Sequence, residues 1–542
     1  MEASGAVEGR GITGSTELAR NALGLPQVLF CIVTGCAPLA AMMFNDPLGI
    51  RGFGIALPSA FWVATIIFFF FSVPYVEMAR RVTTAGGFYS YMSYGFGRVV
   101  GLGTAIAIAA AYLLFVPGVN GVTTYFAQTG VNTLSGGFDM DWRIYAFCFI
   151  FLLFFISYFH VELVSKILGY LLIGELVCLF IFSFAVIIKG GGPDGIVWQA
   201  LNPASMFSGH VGPNGANEVF AKIGGAAIGV GFFAAFWSWV GFEMAPNYAE
   251  ESRNPKKLMA QAIYISCIGM GVLYTFWSWM LITAWGASKN QALWAVNASY
   301  GINPKIAPIK AGIPDGNYAN AFYPVVHKFA GVGIYNLFQV LIITGSFACT
   351  LAFWNTSCRY LFAMGREGIL PRVLGRTHAK HKSPFVAAIC VLIFACGVTA
   401  IFAAGAVGTG FQKQLGLSTS NPLVALLEVG TWIPFQGNAL LFPVMALVCL
   451  AIMVYFIRAQ DGFHWFKTGV APILGAGGIS FGIYLMMKNR ALLTGGTYTG
   501  WVKAVPYYSL GIFLGGILLA VIYKYRSKER YEAIGKFVHE EA

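Results

Sequence analysis

Two glutamates stand where lipid would exclude them. Glu175 is the one charge in the middle of SKILGYLLIGELVCLFIFSFAVIIKG (165–190), and Glu243 lies in FWSWVGFEMAP (236–246), among tryptophans, a glycine and a proline. An ionisable group at the centre of an apolar span costs about 2.5–3.5 kcal/mol even on the lenient insertion scale, so such groups face a cavity or a partner and serve transport. Two kinds of chemistry suit a carboxylate in that position: taking up and releasing a coupling proton, or holding a cationic amine. For Glu175 the alternative is a structural hydrogen bond, and for Glu243 it is a tether for its helix. Glu77 lies next to Arg80 and Arg81 and reads as a local ion pair, and His160, His378 and His381 fall in short connections and read as surface residues. The ten cysteines show no CxxC and no Cys/His spacing, so they read as small buried apolar residues and no metal site is expected.

The elements that must carry these groups follow from composition. Of 542 residues 57% are hydrophobic and 10% charged, and the mean hydropathy is +0.70, far from soluble globular domains. A helical span needs roughly 20 apolar residues; about twelve such stretches can be placed, which predicts an all-α membrane protein. A β-barrel would show alternating segments of about ten residues instead. The first 25 residues hold no apolar run of signal-peptide length, so a retained start is expected. Alternating the loops places 22 of the 34 Lys and Arg on the side of the termini. The positive-inside rule then predicts cytoplasmic termini in the plasma membrane. The formal +12 reads as topology and contact with the lipid bilayer, not nucleic-acid binding. HExxH, GxSxG and P-loop patterns are absent, so no ATPase, protease or other enzyme is signalled.

Two spans are interrupted near their middles. VLFCIVTGCAPLAAMM (28–43) has Thr34, Gly35, Cys36, Ala37 and Pro38 at its centre, and Pro38 lacks the N–H a continuous helix needs. The sixth span carries FWSWVGFEMAP. Unwound backbone inside a bilayer is tolerated only where protein or a water-filled cavity satisfies it. Two broken spans five apart point to an inverted-repeat transporter that binds substrate at the breaks; a pair of simple kinks is the alternative. The expected division is a segment 1–25, a first five-helix repeat 26–190, a second repeat 219–457 with an outer loop 287–333, two further spans in 467–525, and a tail 526–542. The loop contains Asn297 in a glycosylation sequon, and 411–436, bracketed by Pro422 and Pro434, is expected to form an outer interfacial helix.

Four stretches then resemble one family. AFWSWVGFEMAPNYAEESRNPKKLMAQAI (235–263), YVEMARRVTTAGGFYSYMSYGFGRVVG (75–101), NTSCRYLFAMGREGILPRVLGRTHAKHKSP (355–384) and TGCAPLAAM (34–42) are similar, in order and spacing, to signatures of the amino acid, polyamine and organocation (APC) superfamily. The resemblance implies twelve transmembrane helices in a five-plus-five inverted repeat with helices 1 and 6 broken. It also implies secondary transport of amino acids by alternating access, through proton-coupled uptake or exchange, with amines or polyamines second. Backbone groups of Thr34, Gly35, Cys36 and Ala37 would hold a substrate carboxylate. Phe236, Trp237, Ser238, Trp239 and Gly241 would form the second break, with Tyr112 and Phe353 as further substrate-facing aromatics. Glu175 and Glu243 would couple, Glu175 standing where several relatives place a lysine, and Thr356 and Ser357 match hydroxyls that line a sodium site in sodium-coupled relatives. No cofactor is implied beyond a proton or sodium gradient, and no particular oligomeric state.

Overall fold

A backbone that leaves its helix inside a bilayer must find its hydrogen bonds elsewhere in the protein, and that need organises this chain. The computed structural model describes residues 18, 21–82, 86–159, 161–207, 228–286, 321–405, 420–459, 462–490 and 500–535. The principal helices are α1 Leu25–Ile50, α2 Gly54–Ala79, α3 Arg98–Ser135, α4 Trp142–Ser157, α5 Val161–Ile188 and α6 Ile228–Glu251. After these come α7 Pro255–Trp285, α8 Phe322–Arg366, α9 Phe385–Ala403, α10 Gly430–Ala459, α11 Trp465–Lys488 and α12 Gly500–Arg526. Eleven of them are long and apolar enough to cross a membrane. The 16-residue α4 is equally apolar but covers only about 24 Å at 1.5 Å per residue, less than the roughly 30 Å hydrocarbon core.

The breaks fall where the sequence weakens the ladder. The first half of α1 is regular to Cys36; Ala37 then takes a left-handed conformation (φ 46°, ψ 71°), and Pro38 starts the second half without an N–H to give. That second half loosens into a π turn at Ala41–Asn45, just ahead of Asp46 and Pro47. In α6 the helix ends at Trp237, turns through Gly241 (φ 129°), and resumes as a 3₁₀ segment, Phe242–Glu251, with Pro246 inside it.

Packing repeats with a step of five. α1 lies against α6, α2 against α7, α3 against α8 and α4 against α9, the pattern two interlocked five-helix units produce. α11 covers α2, α6 and α10, and α12 runs along α3 and α10. Large apolar side chains of α5, Ile173, Val177, Ile181, Phe184 and Ile188, stay exposed on one flank, as a lipid-facing helix requires.

One expectation for the connections changes. Residues 420–436 do not form an interfacial helix: Pro422–Val424 and a π turn at Ala425–Val429 continue into α10, buried against Gly121 of α3. The apolar faces of Ala425 and Val429 find a helix partner there, so they have no reason to lie in the interface. Within the expected outer insert 287–333, residues 322–330 form a short helix that non-helical Gly331 (φ 85°, ψ 172°) separates from the long part of α8. Residues 287–320, with Asn297, lie outside the described residues, as do His160, residues 1–17 and residues 536–542.

Candidate functional site

The two breaks meet backbone to backbone. A Cβ on Gly241 would stand 2.6 Å from the nitrogen of Cys36 and from the carbonyl carbon of Gly35, so only glycine permits this approach. Beside the joint lies a narrow cavity. Gly35, Cys36 and Ala37 form one wall, Trp237 and Phe353 another, and Asn45 brings the one side-chain amide. The remaining lining is apolar: Ala40, Ala41 and Phe44 of α1, Val119 and Val122 of α3, and Cys349 of α8. A small apolar pocket with few polar groups is the usual form of a small-molecule site.

The expected residues divide around this cavity. Trp237 lines it, braced by Phe115 at 4.9 Å and Phe353 at 6.2 Å between ring centroids. Phe236 points away, into Phe68, Phe232 and Phe442, and Trp239 also turns out, stacking on Phe68 and donating its indole N–H to the Cys267 carbonyl at 3.3 Å. Ser238 lies behind the wall, where its hydroxyl accepts from the Asn45 amide at 2.9 Å and donates to the Ala234 carbonyl. Thr34 is buried in the last turn before the break, its hydroxyl without a hydrogen bond. Thr356 donates to the Met244 sulfur at 2.8 Å and Ser357 to the Phe353 carbonyl at 2.9 Å.

The carboxylates act on the breaks themselves. Glu175, 1% exposed, reaches from α5 to accept the Leu39 N–H at 3.0 Å, capping the second half of α1; its other oxygen has no hydrogen bond. Gly345 of α8 leaves the room this carboxylate fills. Glu243 is more fully engaged. It accepts the Gly241 N–H at 2.8 Å and the Tyr112 hydroxyl at 2.5 Å, while its own carbonyl accepts from Tyr75 at 2.8 Å. Tyr112 therefore serves the break in α6 and does not line the cavity.

On the side of the chain ends the breaks are closed by charge. Arg359 of α8 donates to Glu251 at 2.6 and 3.1 Å and lies 4.2 Å over the Tyr248 ring, and Arg366 holds Glu250 at 2.7 and 2.9 Å. The start of α1 is stitched to the same place, Leu23 donating to the Glu251 carbonyl at 2.9 Å and Arg253 to the Leu23 carbonyl at 3.0 Å. Glu77 pairs with Arg80, as expected, and also with Lys467 at 3.1 Å. His378 is half-buried and bonds Tyr158 at 2.6 Å, so it packs a loop instead of lying free on the surface.

Sequence reasoning missed two groups that line the cavity: Asn45 and Cys349. Asn45 and Asp46 precede Pro47 in a run that reads as a turn, and Cys349 reads as core filling. The trace in the sequence is Pro47 directly after Asn45 and Asp46; the π turn Ala41–Asn45 is visible in the structure alone, and such turns gather at functional sites.

Comparisons agree with this architecture. The branched-chain amino acid permease BcaP of Bacillus subtilis (strain 168) is 22% identical over 491 residues, 87% of this chain and 86% of that protein. The methylthioribose transporter of the same organism is 24% identical over 238 residues, covering 42% of this chain and 45% of its own length. Among solved structures, a mutant of the Eremococcus coleocola manganese transporter aligns with a TM-score of 0.53 at 12% identity, over 96% of this chain and 99% of that one. The same transporter in complex with an aromatic bis-isothiourea substituted compound gives 0.51 at 13%, over 97% and 99%. At such identities the likeness shows the fold alone, an APC-type helical bundle. The amino acid permease family matches residues 23–518, and the chain belongs to that family, a multi-pass membrane transporter and not an enzyme.

Proposed function

We propose that this permease carries an amino acid with an aliphatic side chain across the plasma membrane by alternating access, with both termini in the cytoplasm and with proton uptake or exchange as the driving step. The cavity between the two breaks supports this reading. Trp237, Phe353, Val119, Val122 and Phe44 suit an apolar side chain, while the Asn45 amide oxygen, which has no hydrogen bond, suits an amino group. The B. subtilis relative's name, branched-chain amino acid permease, points the same way. Glu175 and Glu243 couple because each holds the free end of a broken helix, so a proton gained or a partner lost at either one changes how the halves meet. Uptake of leucine, isoleucine and valine into proteoliposomes, with and without an imposed pH gradient, tests the reading. Glu175→Gln should abolish gradient-driven uptake and spare exchange; driven uptake at the wild-type rate in that variant contradicts the role of Glu175.

One observation favours a second substrate class, the amines. In a broken helix the free N–H groups of the second half suit an anion, yet here Leu39 gives its N–H to Glu175 and Pro38 has none. A solute without a carboxylate needs neither donor. Comparing leucine with its decarboxylated amine as competitors decides between the classes.

A further inference from the structure

Asp46 is fully buried in the second half of α1, and neither of its oxygens has a hydrogen bond. Beside it stands Ser278 of α7, also fully buried, with a hydroxyl that lacks a hydrogen bond. Among the described residues no charged side chain interacts with Asp46, and its neighbour Asn45 turns the other way, to Ser238 and the cavity. A carboxylate in apolar surroundings with no cation beside it, and only the Ser278 hydroxyl near enough to donate, is costly to keep charged. A metal cation would require several oxygen ligands, and this site has one carboxylate and one hydroxyl. The geometry therefore suits a proton.

The placement gives that proton leverage. Asp46 directly follows the π turn Ala41–Asn45 and lies roughly 13 Å beyond the break, at 1.5 Å per residue. It shares the segment whose inner end is capped by Glu175 and whose Asn45 is bonded to the break in α6. Any change in how Asp46 meets α7 is passed to the cavity wall one residue away.

We propose that Asp46 and Ser278 form a proton-loading site of the permease, distinct from Glu175, that couples movement of the second half of α1 to the proton gradient. The inference rests on the proton-driven reading above. On loading, one carboxylate oxygen takes a proton from water on the outer side and the new O–H donates to the Ser278 hydroxyl oxygen. On release the O–H bond breaks, the proton returns to water on the inner side, and the carboxylate is restored. No other group is consumed.

Two measurements on the full-length protein test it. In proteoliposomes, one pH unit coupled to one proton per substrate supports about tenfold accumulation of leucine; Asp46→Asn is expected to reduce this to no accumulation while leucine counterflow stays at the wild-type rate. Accumulation in Asp46→Asn equal to wild type overturns the proposal. Because Glu175→Gln should give a similar loss, infrared difference spectra assign the group: a carboxylic-acid carbonyl band present in wild type and missing in Asp46→Asn supports the proposal, and an unchanged band overturns it. Should Asp46→Asn not fold, Ser278→Ala serves instead, its band expected at a shifted frequency; the same frequency overturns the pairing. Wild-type protein that shows the band but no gradient-driven accumulation contradicts the coupling in both readings, and leaves substrate binding at the breaks intact.

Discussion

Removing Glu251 should open the permease on the side of its chain ends. Arg359 is 4% exposed and its guanidinium rests on two hydrogen bonds to Glu251, so Glu251→Ala leaves a buried cation without its anion. Breaking a buried pair in this way costs about 3–5 kcal/mol. Under the proposed alternating access the penalty falls on the closed state alone, because an opening that parts α6 from α8 would let water reach Arg359. At 1.4 kcal/mol per factor of ten, the closed-to-open ratio should fall by roughly two to three and a half orders of magnitude. The reporter is native: Cys31 is 1% exposed and lies beside the pair. With the other cysteines replaced, its reaction rate with a membrane-impermeant thiol reagent, added from the side of the chain ends, should rise by that factor. The double variant Glu251→Leu with Arg359→Met removes both charges and should return Cys31 to near its original protection. An unchanged Cys31 rate in Glu251→Ala would refute the idea that this pair closes the side of the chain ends.

The site makes further distinctions. Trp237→Ala should raise the concentration for half-maximal uptake by at least about tenfold, since a truncated aromatic loses several kcal/mol of packing, whereas Trp239→Phe loses only its bond to Cys267 and should lower the melting temperature without changing uptake affinity. Gly241→Ala should abolish uptake at normal membrane levels, as read by transport against quantified protein, because its Cβ forces the breaks apart at a φ of 129°. Tyr112→Phe leaves the Glu243 carboxylate short of a donor, at about 1–3 kcal/mol of stability, which thermal denaturation in detergent will show.

Much of this arrangement was legible in the sequence because membrane helices advertise their exceptions. Pro38 after Gly35 and Gly241 before Glu243 marked both breaks, and lone carboxylates at 175 and 243 marked the groups that hold them. What the sequence hid is rotation and distance. Trp237 and Trp239 are two residues apart across a turn, where no helical period fixes which ring meets the cavity, and the structure gives that place to Trp237. Arg359 and Glu251 are 108 residues apart, so only the fold joins them. Asp46 was masked by the turn-like Asn-Asp-Pro, whose polarity suggests the end of a span, although α1 continues through it to Ile50.

Cys36 and Cys349 face the cavity from α1 and α8, whereas Cys449 is buried elsewhere in the bundle. The most direct test of the site measures thiol modification of single-cysteine variants with and without saturating leucine or its amine. Protection of Cys36 and Cys349 at the concentration that half-saturates uptake, with no effect on Cys449, is the expected result. Transported substrate that leaves both cavity thiols equally reactive would place binding somewhere other than between the two breaks.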